Sequence, residues 1–309
     1  MPTANRQIPT PLQKLNHPKF EQAEIEVWIK RDDLNHPLIQ GNKWHKLKLN
    51  LRQAEAEGKR QLLTFGGAYS NHIAATAAAA YEKGWSSIGL IRGDELAQNQ
   101  QAWSPTLKQA QAHGMRFEFL SRNEYRLRHN QAWLSALSQR YPQAYILPEG
   151  GSNALAVAGF ESVIQELNQA CLNWTHLLCA VGTGGTLAGL AKYAQQNQHI
   201  WGIASLKNAE HLIPQIQHWA GEQQQNWRLW TEFHAGGYAK TNAELCLKNK
   251  VFEQEFNLLL DPIYTAKMVY AFDHLLNQNQ FPAASRVILY HSGGLQGRPG
   301  DSVCCETSC

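Results

Sequence analysis

HLLCAVGTGGTLAGLAKYAQQNQHIWGIA, residues 176 to 204, holds a strand, a glycine-rich turn, a helix and a second strand in direct succession. His176 to Val181 is a short apolar run with the length of a buried strand. The glycines of 182–186 form the turn, and the pattern predicts a helix over about 187–196 and a strand over 200–204. Such a unit predicts parallel strands joined by a right-handed crossover, so the fold class is α/β.

The same alternation of strands and helices extends over the rest of the chain. The alanine-rich stretch Asn71 to Glu82 predicts a strong helix, because alanine loses the least free energy on helix formation. Strands are predicted at 61–65, 86–92, 116–120, 144–147 and 286–290, and helices at about 101–113, 124–140, 155–172 and 265–278. Periodicity does not resolve the polar stretch 207–228, for which a pair of helices over the sheet is one interpretation.

Length and composition limit the classes of protein that fit this chain. Its 309 residues, 43% of them hydrophobic, predict two domains at about 150 residues each. The net charge of +3 and the absence of a basic stripe argue against nucleic acid or an anionic membrane as the partner. The first residues lack the apolar core of a signal peptide, and no run approaches the roughly 18 apolar residues of a membrane span. We therefore expect a soluble, cytoplasmic protein.

The cysteines fall into two groups. Cys171, Cys179 and Cys246 are scattered through the body of the chain and are expected to be reduced thiols in or near the core. Cys304, Cys305 and Cys309 crowd a polar tail that is expected to be flexible, with exposed thiols. Because no CxxC pair is present, we predict no metal site.

The segment QGNKWHK, residues 40 to 46, contains the first candidate for chemistry. Lys43 follows a glycine-led turn, just before a helix that is predicted to start at about Lys46. A lysine in this place can direct its amine into a cleft, where burial lowers the pKa and makes the amine a nucleophile. The alternative is a solvated surface lysine, which is the usual state of a lysine without a partner.

Glycine-rich turns precede predicted helices at three places in the chain. The turn at 182–186 exposes backbone N–H groups at a helix N-terminus, which suits a monophosphate, although a tight turn would need the same glycines. In the turn at 66–72, Ser70 or Asn71 can cap the following helix, and the free N–H groups can bind a carboxylate. The turn at 148–153 predicts no more than a turn and a cap. A nucleophilic lysine, a phosphate site and a carboxylate site together indicate a pyridoxal phosphate enzyme that acts on an amino acid.

At several separated motifs the chain resembles the fold type II pyridoxal phosphate enzymes, in particular the 1-aminocyclopropane-1-carboxylate deaminases and D-cysteine desulfhydrases. The matching motifs are KRDDL at 30–34, GNK at 41–43, GG at 66–67 with SNH at 70–72, GGS at 150–152, TGGT at 183–186, DPIY at 261–264 and HSGG at 291–294. The resemblance implies two open parallel-sheet domains with the cofactor in the cleft between them. Residues 46–150 would form the small domain, and 1–45 with 151–309 the large one. It also implies a homodimer.

The resemblance also implies roles for individual residues. Lys43 would form the Schiff base with pyridoxal 5'-phosphate, and Thr183, Gly184, Gly185 and Thr186 would hold the phosphate. Asn71 would hydrogen-bond the phenolic oxygen of the cofactor, and Ser70 would receive the substrate carboxylate with the N–H groups beside it. Tyr238 and Tyr264 would transfer a proton or polarise the leaving group. Without the resemblance, a tyrosine is more often a core residue with a satisfied hydroxyl.

Four departures from the deaminase pattern bear on the substrate. Thr265 replaces the glutamate expected at the pyridine nitrogen, so the cofactor would be a weaker electron sink. His72 replaces a glutamine, as in desulfhydrases. Tyr69 replaces a glutamine before the serine, and the pair Trp44-His45 replaces a smaller, basic pair. We expect Tyr69 and His72 to contact the substrate, and Trp44 and His45 to lie beside the site.

These features predict α,β-elimination from a small amino acid, with a D-amino acid favoured, to give pyruvate, ammonia and, from cysteine, sulfide. A 1-aminocyclopropane-1-carboxylate deaminase and a lyase for D-serine or 3-chloro-D-alanine are the alternatives among enzymes. A non-catalytic protein that binds pyridoxal phosphate is the alternative from another class, but such a protein would be expected to lose the lysine or the anion-binding turns.

Overall fold

The structure, a computed structural model, describes residues 8–171 and 173–298, so the tail cysteines lie outside the described residues. The strands are β1 (Leu12–Leu15), β2 (Glu26–Lys30), β3 (Gln61–Gly66), β4 (Ser86–Arg92), β5 (Met115–Leu120), β6 (Ala144–Ile146), β7 (His176–Val181), β8 (His199–Ala204), β9 (Trp227–Trp230) and β10 (Arg286–Tyr290). The helices are α1 (Pro18–Gln22), α2 (Asn42–Ala56), α3 (Asn71–Lys83), α4 (Pro105–Ala112), α5 (Arg122–Arg126), α6 (Gln131–Arg140), α7 (Ala154–Ala158), α8 (Glu161–Ala170), α9 (Gly185–Tyr193), α10 (Ile213–Ala220), α11 (Ala243–Phe256) and α12 (Thr265–Asn277).

The strands form two sheets. One sheet has the order β1-β2-β10-β7-β8-β9 and the other the order β5-β4-β3-β6. Every pair of neighbouring strands is parallel except β1 and β2, which are antiparallel. This confirms the predicted α/β class and the parallel pairing, because parallel strands need the helical crossovers that the sequence indicated.

Helices cover both faces of the larger sheet. Successive residues of β7 alternate between the faces, so Leu178 and Ala180 pack in a core with α12, while Leu177 and Val181 pack in a core with α8 and α9. Because both faces are covered, every residue of β7 is buried, which explains its continuous apolar run. Cys179 belongs to this buried strand, Cys171 is also buried, and Cys246 is half-buried.

Two predicted helices are each divided in the structure. The predicted helix 124–140 is α5 and α6, because Asn130 begins a new helix by accepting a hydrogen bond from the N–H of Trp133 at 3.0 Å. The predicted helix 155–172 is α7 and α8, which meet at Gly159. A Cβ on Gly159 would lie 2.0 Å from the carbonyl oxygen of His45, so α2 crosses the chain closely at this joint.

Some elements did not show in the sequence pattern. The strands β1, β2 and β9 and the helix α11 were not predicted, and the stretch 207–228 contains α10 and a short 3-10 turn rather than a pair of long helices. In β2 the buried Lys30 interrupts the apolar pattern, and its ammonium is satisfied by the carboxylate of Glu166 at 2.6 Å. A partner 136 residues away cannot be inferred from local periodicity.

The four-stranded sheet lies within residues 61–146, and every strand of the other sheet lies outside the range 46–150. The helix α2 begins at Asn42 and so crosses the predicted boundary at 46. The division of the chain into a small and a large domain stays a prediction. Among the described residues, no helix combines the length and the apolar character needed to cross a membrane.

Candidate active site

Strands of both sheets end at one cavity of about 300 Å³. The turns after β3, β7 and β10 all contribute to its wall, as does the last residue of β4. The carboxyl ends of parallel strands are where α/β folds place ligands. Residues that line the cavity include Asn42, Lys43, Lys46, Gly67, Ser70, Asn71, His72, Arg92, Arg128, Glu149, Gly182, Thr183, Gly184, Thr186, Tyr238, Tyr264 and Ser292.

Lys43 lies in the first turn of α2, which begins at Asn42, so the prediction that it precedes the helix is wrong. Gly41 has φ +63°, and a Cβ there would lie 1.8 Å from the carbonyl oxygen of Ser292, so only glycine fits. The amine of Lys43 donates to Oδ1 of Asn42 at 3.1 Å. Burial lowers the pKa of Lys43 to about 8, against the opposing charge of Asp261. The amine therefore has the lowered pKa that a nucleophile needs.

The turn at 182–186 connects β7 to α9 and places the first N–H groups of that helix at the cavity. Those groups have no partner inside the helix and carry the positive end of its dipole, so they suit a phosphate. Gly185, the first residue of α9, is buried, while Thr183, Gly184 and Thr186 line the cavity. Oγ1 of Thr186 accepts a hydrogen bond from Nδ2 of Asn42 at 2.9 Å, which fixes α2 against α9.

Lys46 is a second buried lysine in the cavity wall, and sequence reasoning did not identify it. Its ammonium donates to the carbonyl of Gly150 at 3.0 Å and to Oγ of Ser152 at 2.8 Å. Oγ of Ser152 lies 2.6 Å from Oγ1 of Thr183, so the turn at 148–153 supports the turn at 182–186. Burial lowers the pKa of Lys46 well below its usual value, and the nearby Lys43 lowers it further. The i, i+3 spacing from Lys43 was the available signal, because it places both lysines on one helix face.

Ser70 caps α3, as the sequence indicated, and its Oγ accepts from the N–H of Ile73 at 3.4 Å. Ser70 and Gly67 line the cavity, so the first turn of α3 faces the same space as Lys43. Tyr69 is 45% exposed and does not line the cavity, and its contact with substrate stays a prediction.

His72 lines the cavity, but its imidazole is buried and already bonded. Nε2 lies 2.8 Å from Oγ1 of Thr64, and a Cβ on Gly151 would lie 2.7 Å from its Cε1. Burial lowers the pKa of His72 well below its usual value, and Lys43 and Lys46 lower it further. A neutral imidazole in this place packs beneath the turn at 148–153 and shapes the cavity wall.

Asn71 is held by the buried carboxylate of Asp261. This residue belongs to the DPIY motif, but sequence reasoning gave it no role. Nδ2 of Asn71 donates to Oδ2 of Asp261 at 3.1 Å, and the other oxygen of Asp261 accepts from the N–H of Tyr264 at 2.6 Å. Burial raises the pKa of Asp261, although these hydrogen bonds act in the opposite direction. Asp261 thus orients both a predicted cofactor ligand and one of the predicted tyrosines.

Tyr238 and Tyr264 both line the cavity, with ring centroids 6.4 Å apart. Their hydroxyl groups interact, and burial raises the pKa of each above its usual value. Both hydroxyls are therefore protonated at neutral pH and can donate a hydrogen bond to a ligand. The structure brings together two residues that are 26 positions apart in the chain.

Three residues that were expected at or beside the site lie behind the cavity wall or away from it, and the role of Thr265 toward the cofactor stays a prediction. Thr265 is fully buried and does not line the cavity; its hydroxyl lies 3.3 Å from Oγ of Ser292, which does. Trp44 stacks on His36 with centroids 5.3 Å apart, and Nε2 of His45 lies 2.9 Å from Oδ2 of Asp32. Trp44 and His45 therefore face away from the cavity, because successive residues of a helix point in different directions.

The residues around the cavity fit pyridoxal phosphate. A phosphate would meet the turn at 182–186 and the ammonium of Lys46, and an aldehyde beside it would lie near Lys43. The hydroxyl of Ser292 and the amide of Asn71 also line the cavity and are polar groups available to the ring. The first turn of α3 remains free for the carboxylate of an amino acid.

Comparisons with known proteins agree with this arrangement. A family model described as pyridoxal-phosphate dependent enzyme matches residues 4–293. The fold is similar to that of an ACC deaminase homologue, with a TM-score of 0.78 and 24% identity over 93% of this chain and 90% of that one. It is also similar to a hydrogen sulfide-producing enzyme from Fusobacterium nucleatum (TM-score 0.65, 12% identity, 93% and 96% covered). A third is an O-acetylserine dependent cystathionine beta-synthase from Helicobacter pylori (TM-score 0.65, 16% identity, 94% and 95% covered).

Proposed function

The chain belongs to the pyridoxal-phosphate dependent enzymes, and from this premise we propose that it removes the β substituent of a small amino acid by α,β-elimination, as a D-cysteine desulfhydrase does. The products would be pyruvate, ammonia and, from cysteine, sulfide. One observation carries the proposal: Lys43, the turn at 182–186 and the Ser70 turn all face a single cavity.

Residues beside the two sheets would bind different parts of the cofactor and the substrate. Residues Thr183 to Thr186 would hold the phosphate from the side of the larger sheet, and Nζ of Lys46 would reach it from α2. When bound, pyridoxal phosphate withdraws electrons from the Cα of an amino acid joined to it and so makes the Cα proton acidic. Ser70 and the first N–H groups of α3 hold the substrate carboxylate from the side of the smaller sheet. This clamp orients the Cα–H bond toward Lys43.

Lys43 is the base that takes the Cα proton. Because its pKa is about 8, roughly a tenth of the amine is unprotonated at pH 7, and this fraction rises toward pH 8. A base whose pKa lies near the working pH is efficient in proton transfer. The hydrogen bond to Asn42 keeps the freed amine at the cavity wall.

Tyr238 and Tyr264 supply protonated hydroxyls to the β substituent as it leaves. The neutral hydroxyl of Ser292, with that of Thr265 3.3 Å away, would be the group that holds the ring nitrogen, and the withdrawal of electrons by the ring would then be modest. Elimination of a thiolate demands less of this withdrawal than the opening of a cyclopropane ring. The neutral pair therefore favours elimination.

Replacement of Lys43 tests the proposed site. In Lys43→Ala the visible absorbance of lysine-bound cofactor should disappear, and reduction with borohydride should no longer attach the cofactor to the chain. Lys48→Ala is the matched control, since Lys48 lies on the same helix and bonds Ser162 at 2.9 Å outside the cavity. A Lys43→Ala protein that still carries borohydride-fixed cofactor would sink the assignment.

A panel of substrates separates the candidate activities. The similarity to an ACC deaminase homologue favours 1-aminocyclopropane-1-carboxylate as the second substrate to test. Release of a keto acid should be measured with both enantiomers of cysteine, serine and 3-chloroalanine and with the cyclopropane substrate. Activity on the cyclopropane alone would replace the elimination proposal with a deaminase. The homodimer also remains a prediction, for which light scattering should give twice the mass of the chain.

A further inference from the structure

Arg92, which no part of the proposed mechanism uses so far, stands in the wall of the same cavity. It is the last residue of β4, at the carboxyl end of the strand next to β3. Its side chain is therefore presented from the smaller sheet, beside the turn that holds the substrate carboxylate. The inference below rests on the proposed elimination.

The side chain of Arg92 is exposed, lines the cavity and lacks an acidic partner among the described residues. It lies 5.9 Å from the ring centroid of the buried Tyr125, whose hydroxyl donates to Glu149 at 2.6 Å. The second arginine in the wall, Arg128, is paired with Glu149 through Nε at 2.7 Å. For Arg92, no carboxylate lies within ion-pair distance in the range 8–298 apart from the undescribed residue 172. A guanidinium in a cavity wall without a counter-ion is available to bind an anion.

Arg92 and Tyr238 meet at Gly67. A Cβ placed on Gly67 would lie 3.5 Å from Nη2 of Arg92 and 3.9 Å from Cε1 of Tyr238. The guanidinium therefore stands next to the phenol that is proposed to bind the leaving group. The carboxylate of the substrate already has the hydroxyl of Ser70 and the N–H groups of α3, so the anion that Arg92 can serve is at the other end of the amino acid.

We propose that Arg92 binds the β substituent as it leaves as an anion, and that it selects substrates with such a substituent. In this step the Cα proton moves to the amine of Lys43, and the electron pair of the Cα–H bond forms the Cα–Cβ double bond. The bond from Cβ to the substituent breaks, and its electron pair stays on the substituent. Water later converts the enamine to pyruvate and ammonia. The negative charge that develops on the departing sulfur lies beside Arg92.

Arg92→Met tests the proposal in two reactions of one holoenzyme. For elimination from cysteine, kcat/KM should fall at least about tenfold, because a charge contact made only in the transition state is lost. Exchange of the Cα proton of alanine in D2O, followed by NMR, should stay within about twofold, because alanine has a carboxylate and no leaving group. Arg92→Lys keeps a cation and should recover part of the loss. Arg126→Met is the matched control, since Arg126 is exposed, as Arg92 is, but does not line the cavity.

Binding gives a readout that does not depend on turnover. Aspartate carries a negative charge beyond Cβ that cannot leave as the substituent does, so calorimetry should show it binding at least about tenfold more weakly to Arg92→Met. The affinity for alanine should not change.

The outcomes separate this inference from the proposed function. Equal losses in elimination and in alanine exchange would show that Arg92 binds the α-carboxylate, and an unchanged elimination rate would show that it binds neither group; both overturn the inference alone. A wild-type protein that exchanges the proton of alanine but eliminates from none of the panel would overturn the proposed function, and this inference with it.

Discussion

The lowered pKa of the Lys43 amine results from its position in the folded chain, which the neighbouring residues in the sequence do not reveal. The first turn of α2 directs its amine into the cavity, and the close contact between Gly41 and Ser292 fixes where that helix begins. Burial then lowers its pKa to about 8. A surface lysine would remain almost fully protonated at the same pH, so the difference in reactivity comes from the surroundings.

The lowered pKa of Lys43 predicts how the apoprotein takes up its cofactor. The amine must be unprotonated to attack the aldehyde, so the rate of uptake should rise about tenfold per pH unit below pH 8 and level off above it. Stopped-flow absorbance from pH 6 to 10 measures this rate. Lys43→Ala should show no such phase, and a midpoint near the usual lysine value in the wild type would contradict the prediction.

Asp32 lies at the centre of a buried cluster of polar side chains behind the site. It accepts hydrogen bonds from the hydroxyl of Tyr290 at 2.6 Å and the hydroxyl of Thr10 at 2.5 Å, and Nε2 of His45 lies 2.9 Å away. Burial alone would raise its pKa, but the charges and hydrogen bonds around it lower the pKa to about 2. Since His45 is on α2, this carboxylate helps to hold the helix that carries Lys43.

Asp32→Asn should lower the free energy of unfolding at pH 7 by about 3 kcal/mol, because a buried charge pair is broken. The wild type should also lose about 2 kcal/mol as the pH falls from 4 to 2, since a carboxyl with a lowered pKa stabilises the fold above its unfolded value of 3.8 and loses that effect on protonation. Urea unfolding at several pH values measures both. An acid profile of Asp32→Asn that matches the wild type would refute the argument.

Tyr290→Phe removes one hydrogen-bond donor to Asp32 and should lower the free energy of unfolding by about 1 kcal/mol.

At the scale of elements, the N-termini of three helices lie at the cavity. The first residues of α2, α3 and α9 all reach the cavity, and the hydrogen bond from Asn42 to Thr186 connects two of them. Each terminus has unpaired N–H groups and a partial positive charge, so the backbone alone already favours the binding of anions. The joint between α7 and α8 fixes α2 from behind.

Gly159→Ala tests this joint. A methyl group there would lie 2.0 Å from the carbonyl oxygen of His45, so α2 must move, and we expect a loss of about 2 kcal/mol in unfolding free energy together with weaker cofactor binding. Gly58→Ala is the control, since Gly58 has φ +71° and open space around it, and it should cost about 1 kcal/mol without an effect on cofactor. Spectroscopic titration with pyridoxal phosphate compares the two; equal affinities would count against the role of the joint.

At the scale of the whole molecule, the cavity is where the two sheets meet. The turn at 182–186 and Ser292 follow strands of the six-stranded sheet, whereas Ser70 follows β3 and Arg92 ends β4 of the four-stranded one. A ligand that touches both sets of residues joins the two sheets, so its binding energy stabilises their arrangement.

Removal of the cofactor should therefore lower the melting temperature by several degrees. With pyridoxal phosphate at about a hundred times its Kd, the folded state gains about 2.7 kcal/mol. Scanning calorimetry of the apoprotein at rising cofactor concentrations should show the transition move upward, and inorganic phosphate should reproduce only part of the shift. A melting temperature that does not depend on cofactor would argue against a ligand held by both sheets.

Local sequence patterns were sufficient for the α/β class, for the bounds of β4, β7 and β10, and for a cap on α3 at Ser70 or Asn71, of which the structure shows Ser70. These features depend on the apolar period and on residues within one turn of each other, so they can be read along the chain. Lys43 and pyridoxal phosphate also followed from local motifs, and the family resemblance added roles for residues such as Asn71, Tyr238 and Tyr264.

Contacts between distant residues settled the rest. Three features depend on how helices pack against other elements: the hydrogen bond from Lys46 to Ser152, the contact between Ser292 and Thr265, and the stacking of Trp44 on His36. Side-chain direction and burial follow from that packing. Local propensity does not depend on a partner 106 positions away, as Ser152 is from Lys46. The contacts of the site could therefore be described only from the folded molecule.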